Sequence, residues 1–267
     1  MRTILKLWLR RARRAGETDD ARLWEKRRDW IRRLAAGKSF LDLGGMWGVH
    51  GRAAFLAEEV GAERVVLFDG MDPTAEFSAE HARRESAVRY VQGDLHDEVG
   101  VADLGVFDVV WCTGVIYHSP NPYQLIEHLR RLTSEHLVLG TLLIPEVPFL
   151  PGACLFLPGL PRSVRDAFAS CLPHSAPILC GLTTDFDYTP ELGYANCWWG
   201  ITPTALSSML EVAAFETLEE NAGSAFWVDL IAVPTQRPSV IPSTSFSRQR
   251  GKDRLTAYTE KSRPTWA

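Results

Sequence analysis

The chain has 267 residues, of which 46% are hydrophobic, and a formal net charge of −4. This length can bury a full core in one large domain, and the nearly balanced charge argues against a strongly basic nucleic-acid binder or a highly acidic scaffold. The five cysteines form no close pairs, which indicates reduced thiols and a cytoplasmic protein, and no apolar stretch reaches the about 20 residues of a transmembrane helix.

Residues 1–37 are predicted to form an N-terminal helical segment. Residues 1–14 are basic and amphipathic, which leaves two interpretations open: a helix that packs on the body of the protein, or a weak contact with an anionic membrane. Further on, Leu23, Trp24 and Ile31 recur at helical spacing and predict a helix over residues 19–36.

Strands and helices then alternate along the chain. The apolar runs predict strands over residues 39–43, 64–68, 88–91, 107–112 and 137–144. The intervening patterns predict helices over residues 48–60, 72–84 and 121–132, the second with Asp72 as its N-cap. This alternation predicts an α/β fold whose parallel sheet is covered on both faces.

Polar or glycine-rich residues follow four of these strands. Asp42, Asp69 and Asp94 each stand at or just beyond a strand end, and residues 112–118 follow the fourth strand. Ligands of such sheets bind beyond the carboxyl ends of the strands, so these residues are predicted to line one pocket. Acidic residues are also common in turns, but chance is a poor explanation for polar or glycine-rich residues at four strand ends along one edge.

The first strand runs into Asp42-Leu43-Gly44-Gly45-Met46-Trp47-Gly48. Glycines lack a Cβ, so this turn can approach a ligand closely. A carboxylate before the glycines is typical of a site for S-adenosylmethionine (SAM), which carries a positive sulfonium and no pyrophosphate. A dinucleotide site would need the spacing G-x-G-x-x-G, which the glycines of this turn do not have.

The alternation breaks over residues 145–201, which are rich in proline and aromatic residues and are predicted to form a cap over the strand ends. A helix over residues 202–212 and strands over 215–219 and 225–233 complete a domain that spans residues 38–233. Residues 234–267 have few apolar side chains and are predicted to be a disordered tail.

Four segments together resemble the class I SAM-dependent methyltransferases. They are residues 41–50, 68–73, 113–120 and 198–203. Their pattern is most similar to the branch that contains the tRNA wobble-uridine carboxymethyltransferases and related small-molecule methyltransferases. The resemblance implies a Rossmann-like, doubly wound, seven-stranded, mostly parallel sheet with an antiparallel last strand, and with the cap inserted between strands 5 and 6.

The resemblance also implies where the cofactor SAM binds. The glycine turn would approach its amino-acid half, and Asp42 would lie near the sulfonium and amino groups. Asp69 would accept hydrogen bonds from the ribose hydroxyls, since a carboxylate offers two acceptor oxygens. Asp94 would accept from the adenine amino group, while the Leu95 N–H would donate to the ring. The full predicted set is Asp42, Gly44, Gly45, Gly48, Asp69, Asp94, Leu95, Cys112 and Thr113.

Tyr117 and His118 follow the fourth strand, where relatives place the acceptor. His118 is the candidate general base, and Tyr117 could orient the acceptor. Alternatively, His118 fixes the loop through a hydrogen bond to the backbone. Trp198 and Trp199 are candidate substrate residues that form an acceptor wall by stacking, or else core aromatics that anchor the cap. The cysteine spacing predicts no metal site.

These features predict a SAM-dependent methyltransferase that acts on an oxygen or nitrogen, less readily on a carbon, of a small molecule such as a sugar or a secondary-metabolite intermediate. Two alternatives stay open: a tRNA-modifying (carboxy)methyltransferase and a non-catalytic SAM-fold binding protein. Relatives that transfer a carboxymethyl group carry arginines just after Tyr-His, whereas this chain has Ser119 and Pro120 there, which disfavours the first alternative.

Overall fold

The computed structural model describes residues 20–148, 150–169, 188–224 and 226–236. The basic amphipathic segment over residues 1–14, the tail beyond residue 236 and part of the predicted cap lie outside the described residues. Among the helices that the structure does describe, none is long and apolar enough to cross a membrane.

Helices and strands alternate through most of the described chain. The helices are α1 (Asp20–Leu34), α2 (Arg52–Glu59), α3 (Ala75–Arg84), α4 (Glu98–Asp103), α5 (Pro122–Leu132), α6 (Arg162–Ala169) and α7 (Pro203–Val212). The strands are β1 (Ser39–Leu43), β2 (Arg64–Asp69), β3 (Arg89–Gln92), β4 (Phe107–Thr113), β5 (Thr133–Leu142), β6 (Cys154–Phe156), β7 (Trp199–Ile201), β8 (Phe215–Ser224) and β9 (Trp227–Pro234).

Seven of the strands form one sheet in the order β3-β2-β1-β4-β5-β9-β8. Neighbours from β3 to β5 are parallel, whereas β9 is antiparallel to both β5 and β8. The predicted α/β fold, with a seven-stranded, mostly parallel sheet and an antiparallel last strand, is therefore confirmed. The strand order reverses between β1 and β4, and this reversal opens a crevice at their carboxyl ends.

Successive strand residues point to opposite faces of the sheet, and helices bury the apolar residues on both faces. Leu41 and Leu43 belong to a core beneath α4, α5 and α7. Phe40 and Leu67 belong to a second core, into which α1, α2 and α3 bury residues such as Trp30. The sheet is thus doubly wound, and α1 packs on the body of the protein.

Three local predictions need correction. The second helix begins at Arg52 rather than residue 48, because His50 and Gly51 have φ angles of 49° and 77°, which are not helical. The N-cap of α3 is Thr74 rather than Asp72, and its Oγ1 accepts a hydrogen bond of 3.1 Å from the Phe77 N–H. Helix α4 was not predicted, because it is only 6 residues long.

The described part of the predicted cap contains a small antiparallel sheet of β6 and β7, in which Cys154 pairs with Ile201. The Ile144 N–H, just beyond β5, donates a hydrogen bond of 2.9 Å to the Ile201 carbonyl oxygen. A Cβ on Gly200 would lie 2.7 Å from Ile144 Cγ2, so glycine is needed for this close approach. The cap is therefore tied to the sheet at the end of β5.

Candidate functional site

A cavity of about 650 Å³ lies at the carboxyl ends of β1, β2 and β4. This volume is typical of small-molecule sites, which occupy about 300–1,000 Å³. The cavity brings together most of the residues that were predicted to form one site: Asp42, Gly44, Gly45, Gly48, Asp69, Asp94, Leu95, Thr113, Tyr117 and His118.

Asp42 lies near the end of β1 and is 2% exposed. Among the hydrogen bonds of the described residues, its carboxylate accepts one of 3.2 Å from the Ala54 N–H of α2. Burial, together with the smaller effect of the nearby Asp69 charge, raises the pKa of Asp42 to about 7, while the bond from Ala54 opposes the shift. A buried carboxylate with so little compensation favours a positively charged ligand group beside it.

The glycine turn is shaped by its neighbours. A Cβ on Gly45 would lie 2.6 Å from Asp42 Oδ2, and a Cβ on Gly44 would lie 2.5 Å from Val115 Cγ2. Gly44 also has a φ angle of +75°, a conformation that glycine adopts readily. The turn therefore packs directly against Asp42, and a larger residue at either glycine would displace the carboxylate or the β4 loop.

Asp69 ends β2 and is 7% exposed. Its two carboxylate oxygens accept hydrogen bonds of 2.9 Å from the Met46 and Met71 N–H groups. Burial raises the pKa of Asp69, and these backbone hydrogen bonds oppose that shift. Each oxygen still has a lone pair for a further donor, so the carboxylate can accept from two adjacent hydroxyl groups.

Asp94 and Leu95 line the cavity in the loop after β3. Asp94 Oδ1 accepts a hydrogen bond of 2.8 Å from the His96 N–H. The Leu95 carbonyl oxygen lies 2.9 Å from His128 Nδ1 of α5. These contacts hold the loop in place next to Asp69.

Tyr117 and His118 lie in a short 3₁₀ helix, Ile116–His118, that follows β4. His118 Nδ1 is 3.0 Å from the Asn196 carbonyl oxygen. A carbonyl only accepts, so Nδ1 carries the proton and Nε2 keeps its lone pair. Burial lowers the pKa of His118 to about 4, although the bond to Asn196 opposes the shift, and the ring is therefore neutral near pH 7.

The other end of the cavity is formed by residues outside the predicted site. Helix α1 contributes Trp24 and Arg27, and β9 contributes Trp227. Arg27 donates hydrogen bonds of 2.8 Å from Nε and Nη2 to the two carboxylate oxygens of Asp229, a residue with no exposed surface. The Trp227 indole N–H donates to the same carboxylate at 2.9 Å.

Arg52, the first residue of α2, lies at the same end of the cavity. Its guanidinium carbon is 3.7 Å from the centroid of the Trp24 ring, a cation–π contact between α2 and α1. Burial lowers the pKa of Arg52, and the neighbouring charges of Arg28 and Arg27 lower it further.

Comparison with known proteins identifies the domain. Residues 41–136, from β1 into β5, match the family model of a methyltransferase domain. Over these residues the chain carries a methyltransferase domain. None of the curated proteins compared with the chain matches it.

Solved structures share the fold of this methyltransferase domain. The N-terminal domain of EvdMO1 with bound SAH is 19% identical with a TM-score of 0.50, over 79% of this chain and 80% of that one. Magnesium protoporphyrin IX methyltransferase from Synechocystis PCC 6803 with bound SAH is 15% identical with a TM-score of 0.51, over 79% of this chain and 81% of that one. The [4+2]-cyclase SpnF is 13% identical with a TM-score of 0.50, over 79% and 80%. These likenesses show the fold alone, and a fold does not determine a reaction.

The cofactor of the methyltransferase domain is SAM, and the residues of the cavity fit it. Asp42 is a buried carboxylate that lacks a cationic partner among the described residues, and it fits a sulfonium and an ammonium group. Asp69 has acceptor capacity for a vicinal diol, as a ribose provides. The same cavity contacts both carboxylates, so one ligand can reach both.

Three predicted site residues do not line the cavity. Cys112 is fully buried in the core beneath α4, α5 and α7, because its strand neighbours Trp111 and Thr113 take the cavity side instead. Trp199 packs against the same core and donates a hydrogen bond of 3.0 Å from its indole N–H to the Pro120 carbonyl oxygen.

Trp198 packs against the rings of Phe156 and Tyr188, with centroids 6.2 and 5.3 Å away. Its backbone N–H donates to the Tyr117 carbonyl oxygen at 2.9 Å. The predicted acceptor wall of Trp198 and Trp199 is therefore corrected: the two residues anchor the cap, which was the alternative interpretation.

The residues that sequence reasoning missed carried weak signals. Asp229 is a charged residue within an otherwise apolar strand, which indicates a buried partner. Trp24 and Arg27 are three positions apart on α1 and share one face of that helix. The sequence, however, contains no signal that pairs Arg27 with Asp229 or Trp24 with Arg52.

Proposed function

We propose that the protein transfers the methyl group of SAM to an oxygen or nitrogen atom of a small molecule, such as a sugar or a secondary-metabolite intermediate. The main observation in support is that the buried carboxylate of Asp42 and the neutral ring of His118 border the same cavity. The proposal includes the domain limits 38–233, with the cap over residues 145–201 and a tail from residue 234, and a cytoplasmic location.

SAM supplies an activated methyl group, so the protein has to bind it, align the acceptor with it and exclude water. Asp42 holds the sulfonium and amino end, and Asp69 accepts from the ribose hydroxyls. Asp94 and the Leu95 N–H bind adenine. Buried carboxylates near the sulfonium also favour a cation over a neutral ligand at this point.

His118 accepts a hydrogen bond, or the proton, from the acceptor through Nε2. Its Nδ1–H is used by the Asn196 carbonyl oxygen, so the structural and the functional interpretations of this histidine are compatible. With a pKa of about 4, His118 is a weak base but is ready as an acceptor at every pH above that value. Tyr117, whose ring centroid is 4.1 Å from that of His118, forms the adjoining wall.

The lining of the acceptor end favours a small molecule over RNA. Trp227 and Tyr117, whose ring centroids are 6.2 Å apart, offer flat apolar surfaces on which a ring can stack. An RNA site would need an open, strongly basic surface, whereas Arg27 here is neutralised by Asp229. We therefore propose an acceptor that is enclosed on binding.

A transfer assay tests the proposal. The purified protein is incubated with SAM labelled on the methyl group and with separate panels of sugars, phenols, amines and total transfer RNA. We expect label in a member of one small-molecule panel, and less of it with Asp42→Asn. Label in transfer RNA with strongly salt-dependent binding would establish the RNA-modifying alternative. Calorimetry that detected no binding of SAM or its demethylated product would support a non-catalytic protein.

A further inference from the structure

Arg27 and Arg52 line the α1 end of the cavity, and of these two only Arg27 forms an ion pair among the described residues. The bidentate pair with Asp229 neutralises Arg27. Arg52 is exposed to solvent and forms no ion pair with any carboxylate of the described side chains. Of these two arginines, Arg52 is therefore the one whose charge has no ion-pair partner among the described residues.

Arg52 borders the same cavity as Asp42 and belongs to the helix that contacts it. Arg52 begins α2, and Ala54, two residues further on, donates its N–H to the Asp42 carboxylate. Asp42 accounts for the positive groups of the cofactor's amino-acid half, which also carries one negative group, its α-carboxylate. We propose that Arg52, held against Trp24, binds the α-carboxylate of SAM; this inference rests on the SAM-dependent function.

The stacked geometry suits this role. A guanidinium that lies over a ring face keeps its N–H donors in its own plane, directed away from the ring. A carboxylate at that edge can accept two parallel hydrogen bonds, and its negative charge offsets the repulsion between Arg52 and the neighbouring Arg27 and Arg28. Trp24 is a positioning residue, and because it belongs to α1, this helix becomes part of the cofactor site.

The test compares two ligands by calorimetry: SAM, and decarboxylated SAM, which retains the sulfonium and the amine. We expect the wild-type protein to bind SAM more tightly than the analogue. Arg52→Gln should lose about tenfold to a hundredfold in SAM affinity, the loss expected for a charge-assisted hydrogen bond, and little affinity for the analogue. Arg52→Lys keeps the charge without the planar fork and should lose less than Arg52→Gln.

Arg28→Gln is the matched control. Arg28 is on α1, forms an ion pair with Glu25 and does not line the cavity, so this variant removes the same charge and should retain the preference for SAM. Trp24→Leu should weaken SAM binding more than binding of the analogue, and Trp24→Phe should restore part of the difference. Thermal unfolding of each unliganded variant shows that it is folded.

Three results would overturn the inference. Arg52→Gln could weaken both ligands equally, which would mean that Arg52 acts through the fold. It could leave SAM binding intact and raise only the KM of the methyl acceptor, which would assign Arg52 to an anionic acceptor. The wild-type protein could also bind both ligands equally well. If the wild-type protein bound neither ligand, the SAM-dependent function itself would fail, and that outcome is distinct from the other three.

Discussion

Arg27 on α1 and Asp229 on β9 form a bidentate ion pair, although 202 positions separate them in the chain. Asp229 is fully buried, so the pair connects the helix that closes one end of the cavity with the antiparallel strand of the sheet. A Cβ on Gly140 of β5 would lie 2.4 Å from Asp229 Oδ1, so the neighbouring strand leaves space for this carboxylate. The acceptor end of the site depends on this pair for its shape.

Removal of Arg27 should strongly destabilise the protein. Arg27→Met leaves a buried, uncompensated carboxylate and is expected to lower the free energy of unfolding by about 3–5 kcal/mol, as measured by urea titration. The double variant Arg27→Met/Asp229→Leu should recover most of that loss. Arg28→Met, which breaks an exposed pair with Glu25, should cost less than about 1 kcal/mol. Equal losses for the Arg27 and Arg28 variants would contradict this account.

Asp42 should distinguish SAM from its demethylated product, which lacks the sulfonium charge. Asp42→Asn is expected to weaken SAM binding more than binding of the product, because the lost carboxylate faces a cation. In the wild-type protein, SAM affinity should rise between pH 6 and 8, as the carboxyl with a pKa of about 7 ionises. Calorimetry at several pH values checks both points. Asp42→Asn is the control, because any titration of SAM itself affects both proteins equally. The prediction would be contradicted if SAM affinity changed with pH in the same way in the variant and in the wild-type protein.

The same carboxyl should make the unliganded protein less stable at high pH. The pKa of Asp42 is raised in the folded state, from 3.8 to about 7, so its contribution to stability is present below pH 4 and is lost as the pH rises through 7. This difference corresponds to roughly 4 kcal/mol at most. Asp42→Asn should therefore be more stable than the wild-type protein at pH 8 and similar to it at pH 4, by urea titration. A wild-type advantage at pH 8 would show that the buried carboxylate is better compensated than the structure indicates.

Substitution of His118 should lower the rate of methyl transfer far more than it lowers the affinity for SAM. Loss of a positioned proton acceptor typically costs about 10²-fold or more in rate. His118→Ala removes both ring nitrogens, whereas His118→Asn retains a donor for the Asn196 carbonyl oxygen without replacing Nε2. We expect both variants to have low rates of labelled-methyl transfer and nearly normal calorimetric affinity for SAM. Recovery of the rate in His118→Asn would mean that the histidine only fixes the loop.

The cofactor half of the site could be predicted from the sequence because it is built from strand ends. Asp42, Asp69 and Asp94 lie at or just after predicted strands, and parallel strands place their carboxyl ends along one edge. Local pattern therefore sufficed to bring these residues together. Only the position of Cys112 failed there, since the alternation of side chains along β4 assigns the cavity side to Trp111 and Thr113.

The end of the cavity next to α1 could not be predicted because its residues meet through packing between distant segments. Arg27 and Trp24 come from a helix that precedes the sheet, and Trp227 comes from its last strand. Trp198 and Trp199 suggested an acceptor wall because they are aromatic and lie near the end of the predicted cap. In the structure, Trp198 packs against Phe156 of the cap, and Trp199 packs against the core beneath α4, α5 and α7. No local period or spacing encodes such contacts.

The antiparallel insertion of β9 beside β5 has a consequence for the order of folding. Strands β1 to β4, with the carboxylates that we propose hold the cofactor, come from residues 39–113 and can assemble early, from contacts that are close in the chain. Arg27 is synthesised before all of them, yet its partner is one of the last described residues to leave the ribosome. Contacts of such long sequence separation form slowly, so the nascent chain can hold a nearly complete adenosyl site while its first helix is still undocked.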